Sequence, residues 1–487
     1  MAQIIVGLKE CKLVNEEDSE FLKQLDKDLS FFIPGAVFSR AYKGYTNQKG
    51  QYVSWDGRKH LLEKNLSFPA GLKDKVIEFY KNKGRSISII DEGERTPFSP
   101  LNLDDALKRS KKEPYYYQTE AADCVDKYDR GIIRAATGSG KGLISALMTA
   151  KIGKPTFIYV IGKDLLYQIH DLYTELFGEE VGIIGDGHCE IKRINIATVW
   201  TIGQAFGVKR AYLLDEVEKE KNLEKDKYQS IQKALAQAKL HIFDECHLAA
   251  CDTIQTIMKN IVPDQIYGMS ASPWRDDGAD LLIEGYLGKT ICEIPAKKLI
   301  KEGYLVPPII KFWPVPKMDL PKNYKTIYKR YVVENDYRNE LVIKATNHMI
   351  AQGYKPLILF QDLRHGKILY NELKKTANCA MLKGADSTDR RKEVKNAIEE
   401  NQLQAVLASR IFDIGVDIPS LSGLVIAGAG KSSVRALQRI GRVIRKYPGK
   451  TKAAVVDFAD QATYLSKHAR IRKKIYSMEF DVEWQKK

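Results

Sequence analysis

The chain has 487 residues, of which 44% are hydrophobic and 29% charged, and a net charge of +15. That length supports about two to four domains, and that balance excludes a disordered or fibrous protein. No apolar run is long enough to span a membrane, no signal-peptide pattern opens the chain, and the seven cysteines form no framework, so a reduced cytoplasmic protein is expected.

Residues 1–112 carry 20 basic and 16 acidic side chains, residues 113–295 carry 20 and 27, and residues 296–487 carry 37 and 19. The basic last third points to a polyanionic partner, for which nucleic acid is the usual case. Within 1–112, strand-like runs at 36–38 and 86–90 flank an amphipathic helix near 72–81, giving a small α+β accessory domain. Pro97, Pro100 and Lys108-Arg109-Ser110-Lys111-Lys112 read as a linker. Within 113–295, apolar runs at 132–135, 156–161, 194–198, 241–244 and 266–270 alternate with helical stretches. Residues 213–239 read as a charged, solvated helical insertion. A second series in 296–487 has strand candidates at 356–360, 379–382, 404–408, 423–427 and 453–458. Helices are expected between them near 335–351, 364–376, 387–400, 433–445 and 460–476. Such alternation implies parallel sheets covered by helices. The fold class is therefore α/β, with two tandem parallel-sheet domains behind the accessory domain.

Ala136-Thr137-Gly138-Ser139-Gly140-Lys141-Gly142 lies between the 132–135 run and a helix-like stretch. Strand, glycine loop, lysine and helix is the order of a phosphate-binding loop. Backbone N–H groups at the helix start cradle a polyphosphate, and Lys141 reaches its terminal phosphates. Taken alone, Gly-x-Gly-Lys also occurs in ordinary tight turns. The last loop residue should be Ser or Thr, whose hydroxyl ligates Mg²⁺, and here it is Gly142.

His241-Ile242-Phe243-Asp244-Glu245-Cys246-His247 ends an apolar strand in two carboxylates. Hydrolysis of a nucleoside triphosphate needs Mg²⁺ on the phosphates and a carboxylate that orients and deprotonates water. Asp244 suits the metal and Glu245 the water. Gln438, Arg442 and Arg445 are spaced to share one helix face. A guanidinium aimed at a γ-phosphate stabilises the charge of the transition state. Gly441 inside that helix costs roughly 1 kcal/mol against alanine, which implies close approach of another chain segment or a ligand.

In this order the acidic run and Gln438-Arg439-Ile440-Gly441-Arg442-Val443-Ile444-Arg445 resemble the superfamily 2 helicases. Tyr117-Gln118 resembles the family's adenine-reading glutamine element. Gly162-Lys163-Asp164-Leu165-Leu166-Tyr167-Gln168 resembles motif Ia and Ala197-Thr198 resembles motif Ib, which implies DNA contacts for Lys163, Gln168 and Thr198. Ser270-Ala271-Ser272 resembles motif III, which couples hydrolysis to strand movement. The continuation Pro273-Trp274-Arg275-Asp276-Asp277-Gly278 is of the XPB-like kind. Leu359-Phe360-Gln361 with His365 resembles motif IV. Ser409 through Gly415-Val416-Asp417-Ile418-Pro419 resembles motif V. His365 and Ser409 are accordingly expected at DNA, and Gly415 and Asp417 at the nucleotide. Trp55-Asp56-Gly57-Arg58, followed by Phe68-Pro69-Ala70-Gly71-Leu72, is similar to the accessory domain of the phage UvsW-like branched-DNA helicases. That similarity makes Trp55 and Arg58 DNA candidates, although Trp55 and Phe68 also suit a core.

The resemblance implies two RecA-like motor domains, ATP and Mg²⁺ as cofactors, and branched DNA as the partner of a monomer. Its setting would be the host-cell cytoplasm if the chain is of phage origin. Three other readings remain at this point. They are a DNA-binding nucleotide sensor that turns over poorly because of Gly142, an RNA helicase, and the motor of a restriction enzyme.

Overall fold

Runs of Val, Ile, Leu and Phe build two large sheets in the computed structural model, which describes residues 2–47, 50–178, 181–208, 223–248, 251–272, 279–321, 323–384, 386–409, 418–429, 433–480 and 482–484. The first sheet has eight strands, in the order His188–Glu190, Val181–Gly185, Ile194–Thr198, Thr156–Val160, Leu240–Asp244, Gln265–Ser270, Arg130–Ala135 and Thr290–Ile294. All neighbours are parallel except the first pair. The second sheet has seven parallel strands, in the order Cys379–Leu382, Ala405–Ala408, Pro356–Leu359, Gly423–Ile426, Ala453–Asp460, Pro308–Val315 and Val482–Trp484. Helices cover both faces of such sheets. The central strands are therefore buried along their length and mostly apolar, with polar residues such as Asn195 and His241 enclosed among them.

Strands at 181–185, 188–190, 290–294, 308–315 and 482–484 extend both sheets beyond the apolar runs legible in the sequence. Gly182 and Gly185 dilute one of them, and Thr290, Cys292 and Glu293 another. The expected insertion helix is described from Lys225 to Gln237, with Ile231 and Leu235 buried. Its earlier part lies outside the described residues.

The accessory domain is a four-stranded sheet, ordered Ser67–Pro69, Glu10–Val14, Gln3–Val6 and Ser88–Asp91. The helices Ser19–Asp28 and Lys73–Asn82 close its core around Phe21, Leu25, Phe68, Val76 and Tyr80. Phe68 is thus a core residue. Gly71 docks the domain on the first lobe, since a β-carbon there would lie 2.1 Å from the Glu284 carbonyl oxygen. The run at 36–38 is a 3₁₀ turn and no strand, because Gly35 at φ +82° turns the chain just before it.

The stretch read as a linker is packed onto the first lobe. Leu103 and Ala106 are buried in the lobe's core, beside and within the Asp104–Arg109 helix. Gly153 approaches so closely that a β-carbon would overlap the Ser99 carbonyl, at 1.6 Å. In the second lobe, fully buried Arg338 pairs with Asp460 (Nε–Oδ1 2.9 Å) and donates to the Ala427 carbonyl at 2.7 Å. That pair braces the Asp336–Ala351 helix against the ends of two central strands.

Candidate nucleotide cleft and nucleic-acid face

The glycine loop joins the Arg130–Ala135 strand to the Lys141–Ile152 helix. Gly138 at φ +91° and Gly140 at φ +82° occupy the left-handed region, which curls the loop. Gln118 lies buried beneath it. Its Nε2 donates to the Ser139 carbonyl at 2.9 Å, and its Oε1 accepts from the Tyr115 amide at 2.9 Å. In this arrangement Gln118 braces the loop. The Thr137 and Ser139 hydroxyls are buried with no hydrogen-bond partner among the described residues. Buried hydroxyls of this kind need a partner, and a polyphosphate on the loop would supply one.

Gly142 has a structural reason as well as a missing hydroxyl. A β-carbon there would lie 2.9 Å from Ile169 Cδ1 and 3.1 Å from Leu172 Cδ2, both on the Lys163–Phe177 helix. Glycine lets the two helices pack closely.

Glu245 is the hub of the acidic run. Its backbone sits at φ +52°, rare for a residue with a side chain. Lys141 Nζ donates to Oε1 at 3.1 Å, and Gln438 Nε2 donates to Oε2 at 3.1 Å. His247 Nδ1 lies 3.3 Å from the same Oε2 and 3.2 Å from Ser270 Oγ. Ser270 Oγ in turn accepts from the Ser272 amide at 3.2 Å. His247 thus ties the acidic pair to the Ser270-Ala271-Ser272 segment, a link that sequence reasoning missed. The residue was visible two places after Glu245, but only the fold shows its second partner.

Burial works against charge on Lys141, yet Glu245 and Asp244 more than offset it and hold the ammonium above the ordinary lysine range. Burial pushes the Asp244 carboxyl up to about 6, with Lys141 opposing and Glu245 adding to the rise. Burial also penalises Glu245, but Lys141 and His247 hold it well below the usual carboxylate range. The neighbouring carboxyls are therefore pushed apart in acidity.

The second lobe closes over this site. The Ser433–Val443 helix brings Gln438 to Glu245, and a β-carbon on Gly441 would lie 2.2 Å from Thr137 Cβ. The close approach expected at Gly441 is therefore made by the glycine loop itself. Arg445 is not on that helix, which ends at Val443. It forms an antiparallel bridge with Leu305, and Val306 donates its amide to the Ile444 carbonyl at 2.8 Å. The Arg445 stem lies over the loop, with Cγ 3.3 Å from where a Gly138 β-carbon would be. Ion pairs among the described residues also span the lobes, including Arg391–Asp164 at 2.6 Å and Arg134–Glu479 at 2.6 Å.

The nucleic-acid candidates divide. Lys163 opens the Lys163–Phe177 helix, and Gln168 is exposed on it. The Thr198 side chain is fully buried and caps the Val199–Ala205 helix, accepting from the Thr201 amide at 3.3 Å. Ser409 is nearly buried and donates its amide to the Leu382 carbonyl at 3.1 Å. Gly415, Asp417 and 273–278 lie outside the described residues. His365 is corrected: it is fully buried, bonded through Nε2 to Asn339 Oδ1 at 2.9 Å, and pushed down to about 3 by burial and by Arg338. A neutral, enclosed imidazole holds the second lobe together and makes no DNA contact. Trp55 and Arg58 are likewise committed internally. Trp55 Nε1 donates to the Arg58 carbonyl at 2.8 Å, while the Arg58 guanidinium donates to Ser30 Oγ and the Ser30 carbonyl, each at 2.8 Å.

Residues 111–275 match the family described as type III restriction enzyme, res subunit, and residues 338–447 match the helicase conserved C-terminal domain. The chain is 26% identical over 466 residues to the ATP-dependent DNA helicase uvsW of Enterobacteria phage T4, spanning 91% of this chain and 89% of that protein. It is 23% identical over 455 residues to the DNA 3'-5' translocase XPB2 of Sulfurisphaera tokodaii, spanning 85% and 91%. Among solved structures, a fragment of the HsdR subunit of a type I restriction enzyme from Vibrio vulnificus shares the fold, with a TM-score of 0.56 at 17% identity over 97% of this chain and 84% of that one.

Proposed function

This chain belongs to the superfamily 2 helicases of the XPB- and UvsW-like kind, and on that premise we propose that it is an ATP-driven DNA helicase or translocase working on forks and four-way junctions. The observation that carries this reading is the Gln438–Glu245 hydrogen bond at 3.1 Å, which joins the second lobe to the acidic pair beside the glycine loop. In our reading Lys141 and the amides of 137–142 hold the phosphates, and Gln118 lies on the adenine side. Glu245 orients and deprotonates water, while Arg442 and Arg445 meet the γ-phosphate from the second lobe. Asp244 and the orphaned Ser139 and Thr137 hydroxyls fit a Mg²⁺–triphosphate. Mg²⁺, when bound, neutralises phosphate charge. In this reading Ser270 and His247 carry the state of Glu245 toward a DNA face to which Lys163 and Gln168 would belong.

The test is ATP hydrolysis titrated against single-stranded, duplex, forked and four-way DNA, with matched RNA. Branched DNA should stimulate most, and binding should weaken steeply with salt because the contacts are to phosphates. Absence of stimulation by any DNA would leave the nucleotide-sensor reading. Equal stimulation by RNA would favour an RNA helicase.

Gly142 provides a separate check. Gly142→Ser restores a hydroxyl at the smallest steric cost beside Ile169 and should lower the Mg²⁺ concentration for half-maximal hydrolysis a few-fold. Gly142→Ala, with the same β-carbon and no hydroxyl, should not. Identical Mg²⁺ curves for wild type and the serine variant would mean that this position plays no part in holding the metal.

A further inference from the structure

The accessory domain holds large aromatic side chains out in solvent. Phe38 is 81% exposed and Tyr52 is 72% exposed, with Phe32, Val37 and Tyr42 of the same segment at 40%. These residues are held in place by their backbone. Gly35 sets the 3₁₀ turn that projects Phe38, and the Ser39 hydroxyl caps the following Arg40–Lys43 helix by accepting from the Tyr42 amide at 3.1 Å. Phe32 and Tyr42 meet edge to face at 6.0 Å over Gly57, where a β-carbon would lie 2.5 Å from the Phe32 ring. Gly44 similarly seats Tyr52, whose hydroxyl would be 2.1 Å from a β-carbon there. The exposed aromatics thus lie on one short segment, residues 32–52, whose turns and glycines shape it into an aromatic lip.

Its charge selects the occupant. Arg40 and Lys43 flank these rings, and Asp56 is the single acid in 33–60, while Arg58 and Lys59 are engaged with Ser30 and Gln255. Arg40 and Lys43 are exposed, and the Arg40 guanidinium lies 4.3 Å from the centre of the Tyr45 ring. Flat aromatic faces among cations match the bases and phosphates of unpaired nucleic acid. Lys59 Nζ donates to Gln255 Oε1 at 2.6 Å, and Gln255 is on the Asp252–Asn260 helix. That helix packs on the Val199–Ala205 helix, where a β-carbon on Gly203 would lie 2.5 Å from Thr253 Cγ2. Lys59 thus ties the accessory domain to the first lobe next to the Val199–Ala205 helix.

We propose that the Phe38–Tyr52 lip is a base-stacking site for unpaired bases at a DNA branch point, with Arg40 and Lys43 on the adjoining phosphates. The proposal rests on the DNA-motor reading and assigns it a branch-sensing surface distinct from Trp55 and Arg58. The test uses the full chain and a fork carrying 2-aminopurine at the first unpaired position. Wild type should change the probe's fluorescence. Phe38→Ala and Tyr52→Ala should abolish that change and weaken fork binding roughly fivefold or more, the effect of one stacked base. Phe38→Trp should retain both, and ATP hydrolysis without DNA should be unaltered in every variant. Fork affinity and fluorescence matching wild type in both alanine variants would overturn the proposal while leaving the motor intact. A wild-type protein that neither binds nor responds to any DNA would overturn the motor reading itself, and this proposal with it.

Discussion

Glu245→Gln should stop the motor while leaving it loaded: DNA-stimulated ATP hydrolysis falls roughly a hundredfold or more, the range for loss of a general base, and ATP still binds. The amide keeps the shape of the carboxylate and can still accept from Lys141 or Gln438, whose donors lie 3.1 Å away on either oxygen. What it loses is the negative charge and the capacity to take a proton. Lys141 then loses a partner that raises its proton affinity, but once ATP is added its phosphates stand beside Lys141 in variant and wild type alike. Phosphate release measured beside binding of a fluorescent ATP analogue separates the two effects. Hydrolysis near the wild-type rate would remove Glu245 from the role of base. Parallel loss of ATP binding would instead make Glu245 a structural partner of Lys141.

Much of this site was legible because its chemistry is local. The glycine loop, the Asp244-Glu245 pair and the strands that present them are each contiguous, and their order specifies a parallel α/β arrangement. Gly441 was legible for another reason: a glycine inside a helix needs a neighbour to account for it, and the neighbour is Thr137. Failures came where the decisive partner is distant in sequence. Periodicity put Arg445 on the helix of Gln438, but pairing of 444–445 with 305–306 ends the helix first. His365 matched a motif position, and only the fold shows Asn339 and Arg338 enclosing it. Trp55 and Arg58 had the composition of a DNA grip, and their donors go to backbone carbonyls of their own domain. Phe38 showed no signal at all, since an exposed and a buried phenylalanine look alike in a sequence.

Substitutions at Gly441 should separate folding from function. Alanine gains roughly 1 kcal/mol of helix propensity over glycine, so by helix propensity alone Gly441→Ala should be neutral or stabilising for the second lobe in chemical denaturation. Its β-carbon, however, would sit 2.2 Å from Thr137 Cβ, with Thr137 Cγ2 at 2.6 Å and Oγ1 at 3.0 Å. These are atoms of a branched side chain on the glycine loop, which cannot swing aside without moving the loop. Overpacking of this kind costs about 1–3 kcal/mol. Here it opposes lobe closure, which predicts hydrolysis reduced about fivefold to a hundredfold. Gly441→Leu cannot be accommodated by a small shift and should lose turnover altogether. Energy transfer between dyes on the two lobes should report a wider cleft in both variants. A leucine variant that closes and hydrolyses like wild type would show that the Gly441–Thr137 contact is incidental to catalysis. A loss of activity matched by a loss of lobe stability would place the effect in folding. Unchanged stability with lost closure is the expected combination, because the bare backbone of this glycine is the surface on which the second lobe's helix settles against the phosphate loop.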